Sequence, residues 1–299
     1  MSELLNIRRY SGKELIDKLN NNEFSVLRGL GALDLRNEMR EPGLLCRALA
    51  NTVCATNDDS KLRKRAWNVL KPFSPVKVTG VFPECEDAIV IGFNHPSLGE
   101  IFRLIGVCFA IYDDKEFLFP VNIPWYENLV PIIPQLKRMG ITIVPMITPA
   151  TEAKLVARNS ENEDVLATIK NIKVAFERNY IRTAKSVASR NGVIVVAPSA
   201  TRQAEVIGEH IHPTMTLLAH TILKGDDARA MFLPVAVLEP PVNDRRFNPF
   251  KYYGIRPCKP FYTEEVKALT HRSRDFDYIF LKRIDDVYRK FKTMRGKIN

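Results

Sequence analysis

The sequence predicts an α/β fold in which helices flank a mixed, largely parallel sheet, with a small helical region before it. From residue 76 onward, short apolar segments typical of buried strands alternate with longer segments of helical periodicity. Residues 1–75 contain only helical patterns. We therefore expect an N-terminal helical region over residues 1–75 and an α/β domain over residues 76–299.

The N-terminal region opens with a capping box. Ser11 lies three residues before Glu14 and precedes an apolar periodic segment, which is the usual signal for a helix start. The apolar pattern continues to Leu30. Two further helices are predicted over residues 44–53 and 59–71, the second of them basic.

The α/β domain is predicted element by element from these patterns. Strands are expected at residues 76–81, 88–93, 117–121, 141–144, 193–197 and 231–238, with one or two edge strands within 250–262. Helices are expected at residues 96–112, 125–139 (broken by prolines), 160–190, 212–223 and in the tail from 263. A polar loop is expected after residue 144, and Asn191–Gly192 should end the long helix.

Composition is that of an ordinary globular protein. The chain has 299 residues, of which 45% are hydrophobic and 26% charged. No segment approaches the roughly 18 uncharged apolar residues that span a bilayer, and the N-terminus lacks the apolar core of a signal peptide. Five cysteines without CxxC spacing indicate reduced thiols. We expect a cytoplasmic protein, peripheral where it meets a membrane.

The net charge of +10 indicates an anionic partner. An acidic carrier protein, an anionic lipid surface and a phosphorylated substrate all fit this charge. The basic tail over residues 265–299 also fits a solvated amphipathic helix, and this alternative stays open. No nucleic-acid-binding motif occurs, so we expect no nucleic-acid partner.

His95 lies at the most informative boundary in the chain. It follows the apolar segment Ala88–Phe93, and Pro96 suits the first turn of a helix. Chemistry in α/β proteins concentrates where a buried strand ends at the sheet edge. Glu100 follows about one and a half helical turns later, so its carboxylate can orient the imidazole. A base oriented by an acid is the working part of a catalytic triad without its nucleophile.

Four segments in this order resemble conserved blocks of the glycerolipid acyltransferases, which include the lysophosphatidate and soluble glycerol-3-phosphate acyltransferases. The first resembles their NHxxxxD block, with Glu100 in place of aspartate, and the third resembles their FPEGTR or APSGGR block. In order, the four read VKVTGVFPECEDAIVIGFNHPSLGE, GITIVP, VIVVAPSATR and MFLPVAVLEPP. The resemblance spans residues 76–240, and the helical start followed by an α/β domain resembles the plastid-type enzymes.

The resemblance implies a reaction. A fatty-acyl group would pass from a thioester donor, acyl-CoA or acyl carrier protein, to the hydroxyl of a glycerol-3-phosphate or lysophosphatidate type acceptor in phospholipid biosynthesis. His95 would be the general base, and Glu100 would hold its tautomer. The acceptor itself is the nucleophile, so neither a covalent enzyme intermediate nor a cofactor beyond the thioester co-substrate is expected.

Substrate contacts are expected on the resembling blocks. We expect Asn94, Ser199, Thr201 and Arg202 to face the substrate, with Arg202 as the leading phosphate ligand. A surface salt bridge is the alternative role for Arg202.

The second block departs from the family pattern. The cation that the family usually places after this strand is absent, because the chain continues with residues 145–148, PMIT. Lys154 and Arg158, in the predicted loop beyond them, are our candidates to replace it.

Other functions remain as alternatives. Acyl transfer to an unphosphorylated acceptor, or a non-catalytic lipid- or carrier-binding protein on the same fold, would also fit the altered blocks. A metal site at His210, His212 and His220 is not expected, because no carboxylate accompanies them at a familiar spacing. A serine hydrolase is disfavoured because no GxSxG motif occurs.

Overall fold

The structure, a computed structural model of the chain, describes residues 10–30, 76–95, 100–198, 211–238, 253–270 and 275–296. The helices predicted over residues 44–53 and 59–71 lie outside these ranges. The predicted domain boundary after residue 75 also lies at the limit of the described segments and stays a prediction.

Seven strands form one mixed sheet in the order β1-β7-β6-β2-β5-β3-β4. Their bounds are β1 Val76–Val78, β2 Ala88–Phe93, β3 Phe117–Asn122, β4 Ile141–Met146, β5 Val193–Val196, β6 Ala230–Leu238 and β7 Tyr253–Pro257. Strand β2 is parallel to both β5 and β6, and β1 is parallel to β7. Strands β6 and β7 are antiparallel. The predicted α/β fold with a mixed, largely parallel sheet is confirmed.

Three strands differ from their predictions by more than one residue or in their place in the sheet, and one of them, β4, continues to Met146 instead of ending at residue 144. Strand β1 ends at Val78 instead of residue 81, because Gly80 adopts a φ of 105°, which favours glycine. Strand β7 was expected at an edge of the sheet, yet it lies between β1 and β6. Gly254 pairs with Leu238 of β6, and its missing side chain leaves room for Leu238, whose Cβ lies 3.1 Å from where a Cβ of residue 254 would be.

Ten helices occur in the described ranges. They are α1 Gly12–Asn20, α2 Val26–Gly29, α3 Glu100–Ile111, α4 Ile123–Leu129, α5 Ile133–Arg138, α6 Pro149–Arg158, α7 Glu163–Ala188, α8 Thr214–Ile222, α9 Thr263–Thr270 and α10 Asp275–Gly296. A 3-10 turn, Val130–Ile132, separates α4 from α5, which confirms the predicted proline-broken helix. Among these helices none is both long and apolar enough to cross a bilayer.

Local capping signals set several helix ends. The Glu14 carboxylate accepts from the Ser11 backbone N–H at 2.7 Å, and Ser11 Oγ accepts from the Glu14 N–H at 3.3 Å, confirming the capping box. At the end of α7, Asn191 adopts a left-handed φ of 56°. The Gly192 N–H then donates to the Val187 carbonyl at 3.0 Å, so the predicted C-cap is also confirmed.

The predicted loop after β4 is wrong, because helix α6 occupies it. Thr148 caps this helix by accepting from the Thr151 N–H, and Pro149 occupies its first turn. Glu152 adds a carboxylate to the same turn. These three residues are typical signals of a helix start. The polar composition of the segment favoured a loop in the sequence analysis, so the helix was not predicted.

The chain forms two compact units. The first contains described residues 10–30 and 118–183, and the second contains 76–95, 100–117, 184–198, 211–238, 253–270 and 275–296. In the first unit, α1 and α2 contribute to a core shared with α4 to α7. Its N-terminal members are Leu15, Ile16, Leu19, Val26, Leu27 and Leu30, and those from the later helices include Tyr126, Ile169, Ile172 and Phe176.

In the second unit, helices α9 and α10 pack against strand β6, and α8 packs against both helices. Every residue of β2 and β6 is buried. Four aromatic rings join β6 to these helices: Phe232, Phe261, Phe276 and Phe280. This packing buries the central strands on both of their faces up to their carboxyl ends.

Candidate functional site

The candidate site lies at the carboxyl edge of strands β5, β2 and β6. Gly92 of β2 is in register with Val196 of β5 on one side and with Pro234 of β6 on the other. These three parallel strands therefore point their carboxyl ends toward one edge, the position where α/β proteins bind ligands.

His95 lies two residues beyond the end of β2. Its side chain is half-buried, and its ring centroid is 6.2 Å from that of the buried Phe93, at an interplanar angle of 60°. The predicted location of His95, where a buried strand ends at the sheet edge, agrees with this position. Glu100 is the first residue of α3, but its side chain lies outside the described part of the chain. The His95–Glu100 pair stays a prediction.

Asn94 is fully buried beside this histidine. Its side-chain amide nitrogen donates to the Val237 carbonyl at 3.0 Å, and its amide oxygen accepts from the Val237 N–H at 2.6 Å. Both hydrogen bonds cross from the end of β2 to β6. These bonds show that the Asn94 amide links the end of β2 to β6. They do not test the predicted contact of Asn94 with substrate.

Gly92 allows a close approach beneath the same strand end. A Cβ at this position would lie 2.5 Å from Cε1 of Phe280 and 3.1 Å from Cγ of Pro198. Real Cβ atoms do not tolerate such a contact with an aromatic ring. The absence of a Cβ at position 92 therefore gives the Phe280 ring of α10 room against β2.

The predicted third block follows β5 at this edge. Strand β5 ends at Val196, and Pro198 is buried just beyond it. Ser199, Thr201 and Arg202 lie outside the described residues, so their substrate contacts stay predictions.

Lys154 and Arg158 are exposed residues of helix α6, in the first compact unit. The prediction that they lie in a loop is wrong, because both belong to this helix. Their predicted contact with an acceptor phosphate is not tested by their position on this helix.

The histidines considered for a metal site are only partly described. His212 lies just before α8 and His220 is exposed on that helix, while His210 lies outside the described residues. Among the described residues, no group of three or more histidines, cysteines or carboxylates is arranged to hold a metal ion.

Sequence reasoning missed the role of Asp277, one of two buried aspartates of α10 with Asp285. Asp277 of α10 accepts from the Met215 N–H at 2.7 Å, from the Thr216 N–H at 3.1 Å, and from the Thr216 hydroxyl. It thus caps the N-terminus of α8, where Pro213 provides no side-chain cap. Burial raises the pKa of Asp277, and these hydrogen bonds lower it only in part. The sequence signal for a buried role of Asp277 was its position among apolar residues of α10, next to Phe276 and one turn from Phe280.

Comparison with known proteins gives a distant likeness in shape. No family model matches the chain, and no curated protein matches it in sequence. Among solved structures it is similar to the 1-acyl-sn-glycerophosphate (LPA) acyltransferase PlsC from Thermotoga maritima, with a TM-score of 0.45 and 15% identity. The match covers 82% of this chain and 87% of that one. A likeness at this score and identity does not identify a family for this chain.

Proposed function

We propose that this chain is an acyltransferase that moves a fatty-acyl group from a thioester to the hydroxyl of a glycerol-3-phosphate or lysophosphatidate type acceptor. The observation that carries the proposal is the position of His95, two residues beyond a fully buried strand at the carboxyl edge of parallel strands. Glu100 at the first residue of the next helix, and four segments that resemble acyltransferase blocks in order, support it.

The chemistry requires one base and no enzyme nucleophile. His95 takes the proton of the acceptor hydroxyl as that oxygen attacks the thioester carbonyl carbon. The carbon–sulfur bond then breaks, and the departing thiolate takes the proton back from the imidazolium. Glu100 accepts a hydrogen bond from the other ring nitrogen and stabilises the charged ring. The products are an ester and a free thiol, so protons and electrons balance.

The donor in this proposal is acyl-CoA or acyl carrier protein, and no separate cofactor takes part. The net charge of +10 favours a phosphorylated acceptor, an acidic carrier protein and contact with an anionic membrane surface. Ser199, Thr201 and Arg202 would complete the acceptor site, with Arg202 binding phosphate in a bidentate manner.

The experiment that tests the function is thiol release from palmitoyl-CoA and from palmitoyl carrier protein, with glycerol-3-phosphate or lysophosphatidate as acceptor. Wild type, His95→Gln and Glu100→Gln should be compared, with His220→Gln as the matched control because His220 is an exposed histidine on α8. We expect acceptor-dependent release in wild type and control, and a loss of about 10²-fold to 10⁴-fold in kcat for His95→Gln.

Other outcomes would revise the proposal. Thiol release that does not depend on either acceptor would indicate hydrolysis or an unphosphorylated alcohol as acceptor. No release from any donor by wild type would favour a non-catalytic lipid- or carrier-binding protein. Full activity in His95→Gln would exclude His95 as the base.

Lys154 and Arg158 are our candidates for the acceptor phosphate. We expect Lys154→Ala/Arg158→Ala to raise the KM for glycerol-3-phosphate with little change in kcat, because loss of uniform binding affects KM alone. The control is Lys170→Ala/Arg178→Ala, two exposed cations on α7. An unchanged KM in the first double variant would remove both residues from the acceptor site.

A further inference from the structure

We propose that Asn94 is a positioning residue, whose side-chain amide ties the end of β2 to β6 and thereby sets the orientation of the His95 imidazole. This proposal rests on the proposed function, because positioning has a catalytic meaning only if His95 is the base. The hydrogen bonds that support it are independent of that function.

The two hydrogen bonds form a closed pair. One side-chain amide both donates to and accepts from a single residue, Val237, as a paired peptide group would. Asn94 exposes none of its surface, so both bonds are shielded from water. In a buried site, removing one partner leaves the other polar group unsatisfied, which makes such a pair hard to replace.

The pair lies beyond the backbone ladder of the two strands. The last backbone register between β2 and β6 joins Phe93 to Val235, and Val237 follows two residues later. A side chain therefore extends the pairing after the backbone register has ended. This arrangement anchors the chain at residue 94, immediately before His95.

The anchor at Asn94 limits where the backbone of His95 can lie. It is joined to Asn94 by one peptide bond, which is planar, and its ring lies near the buried ring of Phe93. Phe93 is itself held in the ladder opposite Val235. The backbone that leads into His95 is thus held by Phe93 in the strand pairing and by the amide pair at Asn94.

This geometry assigns Asn94 a role different from substrate contact. A substrate would reach its amide only by displacing the bonds to Val237, since no part of Asn94 is exposed. Loss of the amide should therefore displace the base and leave the binding of donor and acceptor largely intact. Displacement of a catalytic group by about 1 Å can lower a rate by about 10²-fold.

The test compares wild type with Asn94→Ala, which removes both bonds, and Asn94→Asp, which keeps the size and one acceptor. Asn159→Ala is the matched control, because the Asn159 amide also bonds a backbone carbonyl, that of Leu155 at the end of α6. We expect kcat to fall by about tenfold to 10²-fold in both Asn94 variants, with each KM changed by less than about twofold. The control should retain both constants.

A second measurement follows His95 directly by NMR. The imidazole signals of His95 are assigned by their loss in His95→Gln, and their chemical shifts are compared among the variants at one pH. We expect the chemical shifts to change in both Asn94 variants and to stay unchanged in Asn159→Ala. A substitution that acted only through global stability would not move these signals in the folded protein.

Several results would overturn the proposal. A raised KM with unchanged kcat in the Asn94 variants would make Asn94 a substrate contact. Unchanged kcat and unchanged His95 signals would show that the amide pair does not position the ring. If Asn94→Ala does not fold, Asn94→Asp decides the question. A Val237 amide that exchanges rapidly with solvent in wild type would show that the pair does not form.

Failure of the proposed function gives a different pattern. A wild type that transfers no acyl group from any donor would exclude the transferase, whereas the NMR comparison would still decide whether Asn94 orients His95.

Discussion

At the scale of single residues, the buried carboxylate of Asp277 on α10 caps the N-terminus of a different helix, α8. Its oxygens accept from two backbone N–H groups at the start of α8 and from the Thr216 hydroxyl. Helix N-termini carry unsatisfied donors and a partial positive charge, so a buried carboxylate suits this place. The stability of α8 therefore depends on a residue 60 or so positions away in sequence.

We predict that Asp277→Ala lowers the free energy of unfolding by about 1–3 kcal/mol, because it leaves buried N–H groups without acceptors. Urea unfolding followed by circular dichroism measures the change. Asp286→Ala is the control, since Asp286 is an exposed aspartate of the same helix and its loss should change stability by less than about 0.5 kcal/mol. Equal effects of the two substitutions would contradict the capping role.

The raised pKa of Asp277 gives a second prediction with a definite sign. Burial raises its pKa in the folded state above the unfolded value, so the folded state binds this proton more readily. Stability attributable to the group must then increase as pH falls toward the folded pKa. We expect the unfolding free energy of wild type, relative to Asp277→Asn, to increase as the pH is lowered from neutral through the folded-state pKa. A fall over the same range would mean that the hydrogen bonds outweigh burial.

At the scale of secondary-structure elements, the residue type at position 92 of β2 depends on a side chain of α10 that packs against it. The apolar run of this strand was readable from the sequence, and its bounds are those expected. The requirement for glycine at position 92 comes from α10, which places the Phe280 ring where a Cβ would lie. The small residue in this strand therefore matches a ring on a helix nearly 190 residues further along the chain.

We predict that Gly92→Ala destabilises the fold by about 1–3 kcal/mol through overpacking against Phe280. In the background of Phe280→Leu, which removes the ring atoms nearest position 92, the same substitution should cost less. A double-mutant cycle of unfolding free energies measures this coupling. Additive effects of the two changes would show that the close approach does not limit the side chain at position 92.

At the scale of the whole molecule, the N-terminal helices are part of a larger core. Leu19 and Leu27 are buried in the cluster that includes Ile169 and Phe176 of α7. Glu127 of α4 reinforces this packing by accepting from the Leu27 N–H at 3.0 Å and from Ser25 Oγ at 3.1 Å. The described N-terminal helices are therefore integrated in the first compact unit.

We predict that Leu19→Ala lowers the free energy of unfolding by about 2–5 kcal/mol, as expected for a leucine removed from a packed core. Leu217→Ala is the control, because Leu217 on α8 is 51% exposed. A fragment of residues 76–299, which lacks α1 and α2, should bind a hydrophobic dye that the full chain does not bind. A fragment that unfolds cooperatively and binds no dye would contradict this integration.

The sequence by itself determined what depends on local patterns. Alternating apolar runs and helical periods predicted the α/β fold, the capping box predicted the start of α1, and the end of an apolar run placed His95 at a strand end. Each of these signals is read within a few residues, because helix and strand periods act at short range.

Only the tertiary structure decided the features that depend on distant partners. The bond from Asn94 to Val237 spans 143 positions, and the cap from Asp277 reaches back 62 positions to Met215. Strand β7 lies inside the sheet because it pairs with β1 on one side and β6 on the other. The sequence of β7 alone does not show which strands it pairs with. A buried amide or carboxylate is stable only where the fold brings its hydrogen-bond partners to it, so these roles arise from the packing of elements and not from the order of residues.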